Sequence, residues 1–173
     1  MTTRPILIHP DPRLKTRAQE IGEINDEIRT LAADMLETMY EAPGIGLAAP
    51  QVGVLQRLLV MDCVKEEDAE PQPMVLVNPV VEWTSEERGF FEEGCLSIPD
   101  QYAEVERPLT VDVSFTDLDG IRRRERFDSL WSICVQHEVD HLDGKLFIDY
   151  LGPMKRQMIT RKMQKIKREQ ARA

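Results

Sequence analysis

His137-Glu138-Val139-Asp140-His141 places two imidazoles four residues apart with a carboxylate between them. On a helix, positions i and i+4 stand one above the other on the same face. Two ring nitrogens can then reach one metal ion, with Glu138 beside whatever else the ion holds. This is the H-E-x-x-H arrangement of a hydrolytic metal site, in which the Glu acts as general base and not as ligand. The chemistry it predicts is attack of metal-activated water on a carbonyl.

The residues around the motif read as a helix. Asp128 or Ser129 can cap it, and Gly144 sits where a left-handed C-terminal cap belongs. Leu130, Ile133, Cys134, His137 and His141 share one stripe, which the reading turns inward, toward a sheet. Upstream, Asp119-Gly120 suits a hairpin turn between Val111–Thr116 and Ile121–Phe127. Leu58–Met61 and Met74–Val77 read as buried strands, separated by the acidic loop of residues 65–73. Asn25 or Asp26 can cap an earlier helix running to about Glu41, with Ile28, Leu31, Met35 and Met39 in helical period. Gly44–Gly53 is too apolar for a surface linker and reads as a buried or cleft-lining loop. Pro153 suits the first turn of a third helix. The expected fold is α+β: antiparallel strands around a central metal-binding helix, with N-terminal and C-terminal helices.

The chain has 173 residues and three cysteines, too few and odd in number for a disulfide framework. No apolar run reaches membrane-span length, and the N-terminus lacks the pattern of a signal or transit peptide. A cytoplasmic location is expected. The net charge is −9, unevenly spread. From Pro153 onward, eight Lys/Arg face one acid, a tail of +7, leaving −16 on the rest. Residues 1–152 are expected to form the catalytic domain. Residues 153–173 form a basic helix, either part of that domain or a docking tail.

A hydrolytic site needs a third ligand. Downstream of the motif there is no further histidine, and the acids there show no supporting pattern. Upstream, Glu93-Gly94-Cys95-Leu96-Ser97-Ile98-Pro99 offers a thiolate, and a His₂Cys set with an open position is chemically sound. Here the chain resembles a known family. GIGLAAPQVG (Gly44–Gly53), EGCLSIP (Glu93–Pro99) and QHEVDHLDG (Gln136–Gly144) resemble, in order and spacing, the three motifs of peptide deformylase. That family removes the formyl group from N-terminal formyl-methionine of new bacterial polypeptides, and some members serve organelles.

The resemblance implies Cys95, His137 and His141 as metal ligands and Glu138 as general acid/base. It implies Gln51 and the Leu96 N–H as donors to the developing oxyanion. Backbone groups of Ile45 and Gly46 would bind the extended substrate; Leu130 and Ile133, with Phe91, would line the methionine pocket. Relatives generally use ferrous iron; the donor set would also accept zinc, nickel or cobalt. Many relatives have arginine where this chain has Tyr102, which leaves the contact beyond methionine open. The expected partners are formyl-methionyl nascent peptides, and the ribosome through the basic helix; neither membrane nor DNA is expected. Deleting Lys155 onward is expected to remove ribosome binding and spare peptide hydrolysis.

Plainer readings stand beside these. Cys63 and Cys134 read as packing thiols, and Met35 and Met39 as core. Gly44–Gly53 lacks the endings of a phosphate-binding loop. A zinc endopeptidase built on the same helix, or an inactive ribosome- or RNA-binding homologue, are the competing functions.

Overall fold

The computed structural model describes residues 2–172; Met1 and Ala173, the outermost residues of the leader and tail readings, lie outside it. Three helices accompany two antiparallel sheets. Helix α1 spans Asp26–Glu41. Strands β1 (Gly46–Ala48), β2 (Leu58–Met61), β3 (Met74–Thr84), β6 (Val111–Thr116) and β7 (Arg122–Phe127) form a five-stranded sheet in the order β1-β2-β3-β6-β7. Strands β4 (Arg88–Cys95) and β5 (Ile98–Pro108) form a separate two-stranded hairpin. Helix α2 is Ser129–Leu142 and helix α3 is Pro153–Arg172.

Local chemistry accounts for the helix ends. Asn25 Oδ1 accepts from the Ile28 N–H at 3.0 Å, capping α1, and Asp26 and Glu27 complement its N-terminal dipole. The buried stripe Ile28, Leu31, Met35 and Met39 packs on Leu58 and Val60 of β2. Helix α2 stops at Gly144, whose φ is +76°. A Cβ there would lie 2.7 Å from the Lys15 carbonyl oxygen, so both the conformation and the space require glycine.

Helix α2 is buried on nearly every side from Ser132 to Leu142. Val135, Val139 and Leu142 pack on Leu59, Val113 and Phe115 of the five-stranded sheet. The histidines lie on the other side, against β4–β5 and the Phe147 segment. Of the expected inward stripe, Leu130 and Cys134 pack with the large sheet, whereas the two histidines face the small hairpin. That position between two sheets removes α2 from water on both faces.

Two further features differ from the sequence reading. Gly44–Gly53 is not irregular throughout: it forms β1 and a single 3-10 turn, Ala49–Val52. The β4–β5 hairpin was not anticipated as strands, because its inward positions include Glu93 and Arg107, which break apolar alternation. Helix α3 buries Ile159 and Met163 in a cluster with Leu14, Ile98 and Phe147, so the basic helix is anchored by core contacts. Among the described residues no helix is long and apolar enough to cross a membrane.

Candidate metal centre

One turn of α2 brings His141 Nε2 to 3.2 Å from His137 Nε2. Cys95, at the end of β4, places its Sγ 3.3 Å from His141 Nε2. The ligand atoms of all three residues lie within 4.8 Å of one another. Two ligands held at roughly 2.0–2.3 Å in a tetrahedron stand about 3.3–3.6 Å apart. The donor set and its short edges fit a single divalent ion with three protein ligands.

The surroundings prepare these donors. His137 Nδ1 donates to Glu93 Oε1 at 2.9 Å, which aims Nε2 at the other donors and, in the neutral ring that a bound ion would require, leaves it a free lone pair. Arg107 grips the same carboxylate at both oxygens, Nη2 to Oε1 at 2.9 Å, and its Nη1 reaches Asp140 at 3.0 Å. Tyr150 closes the chain, its hydroxyl donating to Asp140 at 2.7 Å while Arg107 stacks over its ring. Burial pushes the Glu93 carboxyl up, but His137 and Arg107 outweigh it and hold it below the usual range. Burial keeps His141 neutral, aided by the charges of His137 and Arg107, as a ligand nitrogen must be. Glu93 and Asp140 lie within the quoted motifs but were given no role, and Arg107 lies in none of them. The signal that could have found Arg107 is a charge sitting at an inward position of a strand.

Glu138 is 4% exposed, and its Oε1 has no hydrogen-bond partner among the described residues. Burial pushes its carboxyl up to about 7, against the opposing effect of His137. A carboxyl poised there can both take and give a proton near neutral pH. It leans against β1: a Cβ on Gly46 would lie 2.6 Å from Glu138 Oε2 and 2.7 Å from Cys134 Sγ. Gly46 is thus required by close approach of a side chain. Cys134 contacts Cys63, which together with burial holds its thiol well above the usual range, the state of a packed neutral thiol.

Gln51 is 1% exposed and its amide is fixed at both ends. Its Oε1 accepts from the Ala48 N–H at 2.9 Å; its Nε2 donates to Ser97 Oγ at 3.1 Å and lies 3.6 Å from Cys95 Sγ. The N-terminal arm holds both flanking segments, with Leu7 N–H on the Gln51 carbonyl at 2.7 Å and His9 N–H on the Ser97 carbonyl at 2.9 Å. Leu96 and Ser97 form the two-residue tip between Cys95 and its partner Ile98.

A cavity of about 740 Å³ opens over this centre. Gln51, Leu96, Glu138, Leu130 and Ile133 line it, as do Ile45 and Gly46. Phe91 is not among the lining residues, so the structure does not bring it to the site; β4 alternation puts it on the hairpin's inner face opposite Val105. Ile45 and Gly46 are not equivalent. The Ile45 carbonyl already accepts from the Asp62 N–H at 2.8 Å, making Ile45–Asp62 a hydrogen-bonded pair of the β1–β2 ladder. In an antiparallel ladder the next pair, Gly46–Met61, then points its backbone groups away from the partner. β1 is an edge strand, so the N–H and C=O of Gly46 face the open side.

The family model described as Polypeptide deformylase matches residues 3–157. A peptide deformylase of Rhizobium meliloti is 53% identical over 165 residues, covering 95% of this chain and 94% of its own. One of Rhizorhabdus wittichii is 51% identical over 172 residues, 97% of each chain. Among solved structures, the Ehrlichia chaffeensis peptide deformylase in complex with actinonin superposes with a TM-score of 0.92 at 37% identity, covering 97% of this chain and 99% of that one. The Legionella pneumophila peptide deformylase gives 0.90 at 43% identity, covering 99% of each.

Proposed function

Because the chain belongs to the polypeptide deformylase family, we propose a role for each residue of this centre in the family's reaction. The protein is a metal-dependent hydrolase of the N-formyl amide, acting on formylated nascent polypeptides. Formyl-methionine is the terminal residue and formate the product. One observation carries the residue assignment: three metal-type donors converge, and two of them, Cys95 and His137, line one cavity with Glu138, whose buried Oε1 has no hydrogen-bond partner among the described residues.

Cys95, His137 and His141 hold the ion, which we assign as ferrous iron, with zinc, nickel and cobalt as substitutes the same donors accept. When bound, the ion supplies Lewis acidity that polarises the formyl carbonyl and acidifies water at the site. Glu138 takes the proton of the water that adds to the formyl carbon. It then delivers that proton to the amine nitrogen as the C–N bond breaks, so formate and a free N-terminus leave. Gln51 Nε2 and the Leu96 N–H donate to the oxygen on which charge develops. Ala48 and Ser97 hold the Gln51 amide in place, so only the N–H now directed at Cys95 Sγ has to shift toward the oxyanion.

The substrate backbone lies extended along the open edge of β1, exchanging hydrogen bonds with Gly46. Leu130 and Ile133 accept the methionine side chain. Formyl is selected over acetyl because a tight wall excludes the extra methyl. Every assigned residue falls within residues 1–152, which we take as the catalytic domain. The basic α3 serves as a ribosome-docking surface, and the site of action is the cytoplasm, where formylated chains emerge.

The test is formate release from formyl-Met-Ala-Ser by protein purified without oxygen and loaded in parallel with ferrous iron, nickel or zinc. Acetyl-Met-Ala-Ser is the control. Fast release with the acetyl peptide untouched is expected, and the metal ranking identifies the ion. Stoichiometric metal binding with no release under any metal would overturn the assignment.

A further inference from the structure

Gln51 and Leu96, the two oxyanion donors proposed above, sit on segments far apart in sequence, and one short arm joins those segments. Leu7 N–H donates to the Gln51 carbonyl at 2.7 Å, and His9 N–H donates to the Ser97 carbonyl at 2.9 Å. Gln51 Nε2 donates in turn to Ser97 Oγ at 3.1 Å. The circuit closes through the main chain between Leu7 and His9. The arm also straddles two cores. Ile6 packs with the cluster of α1, β1 and β2 and lines the cavity, while Leu7 and Ile8 pack with the cluster of Ile98, Phe147 and Ile159.

The His9 ring, 5% exposed, leaves the arm for α3, where its Nε2 meets Thr160 Oγ1 at 2.9 Å. Among the described residues this is the one side-chain hydrogen bond between α3 and the rest of the chain. The other ring nitrogen, Nδ1, is buried with no partner among the described residues. Packing alone would favour an apolar side chain at such a place, because an unpaired buried polar atom costs stability. The ring is therefore explained by the bond it makes and not by the space it fills.

Resting on the oxyanion roles given above to Gln51 and Leu96, we propose that His9 is a positioning residue of the hydrolysis. Latched to Thr160, it holds the arm against Gln51 and Ser97 and so fixes the spacing of the two donors. Hydrogen-bond donors stabilise developing charge strongly only where they are placed before the reaction begins. With the latch open, the Leu96–Ser97 tip and the Gln51 turn lose their common clamp, and both donors drift from the oxygen they must meet. His9 does not line the cavity, so the effect falls in kcat and not in KM.

The experiment is steady-state hydrolysis of formyl-Met-Ala-Ser, with rates counted per bound metal. It compares His9→Ala and Thr160→Val, each alone and combined with Gln51→Ala. Thr160→Val keeps the side-chain shape and loses only the hydroxyl, so the latch opens in a chain that still folds. Each single variant is expected to lower kcat about tenfold and to leave KM within about twofold. His9→Gln and Thr160→Ser, which can restore the bond, recover most of the loss. In the Gln51→Ala background most of the latch effect disappears, because a donor that the latch places is gone. A loss due only to weaker folding would instead multiply with that of Gln51→Ala. Wild-type kcat in both latch variants, or full multiplication in the doubles, overturns the proposal while leaving deformylation intact. Unchanged kcat in Gln51→Ala withdraws the oxyanion reading and this proposal with it. No hydrolysis by the wild-type enzyme under any metal overturns the deformylase assignment and all that rests on it.

Discussion

Glu93 and His137 are bound through a 2.9 Å hydrogen bond between two elements that share no sequence neighbourhood, β4 and α2. The bond sets which nitrogen of His137 faces the other donors. It depends in turn on Arg107, because an unpaired carboxylate at this depth would shed its charge. Replacing Glu93 by Ala is expected to weaken metal binding by about 10–100-fold. Arg107→Leu leaves Glu93 and Asp140 without their cation and is expected to cost about 3–5 kcal/mol of stability. Competition with a chromophoric chelator measures the first and denaturant titration the second. Wild-type metal affinity in Glu93→Ala would remove Glu93 from any role toward the ion.

Glu138→Ala tests the general acid/base assignment. The variant is expected to bind metal stoichiometrically and to lose about 10²–10⁴-fold in turnover. Metal analysis of the purified variant decides the case. If the ion is lost along with activity, Glu138 is a ligand or a structural group.

Gln51→Ala removes one donor from the position where charge develops. The expected loss is about 2.7–4 kcal/mol of transition-state stabilisation, seen in kcat far more than in KM. Steady-state kinetics with formyl-Met-Ala-Ser separate the two, and an unchanged kcat would withdraw Gln51 from that role.

His9 gives a pH dependence away from the centre. Its ring is buried, hydrogen-bonded to Thr160 of α3 at 2.9 Å, and burial lowers its pKa from 6.5 to about 4, assisted by Lys15 and Lys167 and opposed by Asp149. Between these values the unfolded chain binds the proton and the folded one does not. Stability therefore falls as pH drops from about 6.5 toward 4, by about 2 kcal/mol from this residue once partial screening is allowed for. Denaturation midpoints across that range should fall less steeply in His9→Gln, which cannot titrate. Parallel pH profiles would show that other groups carry the effect.

The basic helix calls for charge reversal and not deletion. Ile159 and Met163 belong to the core, so removing Lys155 onward would cost the domain its packing as well as its charge. Arg161→Glu, Lys165→Glu and Arg168→Glu alter only exposed positions along one side of α3. Salt-sensitive sedimentation with ribosomes is expected to disappear, while hydrolysis of short peptides continues. Equal sedimentation by the variant would end the docking role.

Much of this arrangement was legible because it is local. The capped helix of α1, the β6–β7 hairpin and the i, i+4 histidines each fit within one stretch of chain, and periodicity reports them directly. Cys95 lies 46 residues from His141, and chemistry alone could only offer it as a sound third ligand; the family motifs singled it out. The β4–β5 hairpin was missed because its inner face serves the site, with Glu93 and Arg107 where a strand would ordinarily present apolar side chains. Phe91 was placed at the pocket by analogy of position; it shares the inner face of the hairpin with Glu93, opposite Val105, but does not line the cavity. The difference between Ile45 and Gly46 could not be read at all, since it depends on the register of β1 against β2.

With substrate docked as proposed along the three-residue edge of β1, that edge also works as a clock. A client must offer its first residues as naked extended backbone to add a strand there, and once those residues coil into a helix or are tucked into their own domain they can no longer do so. Processing thus competes with the client's own folding. Proteins whose amino termini structure early have the briefest interval in which to lose the formyl group, whatever their affinity for the cavity.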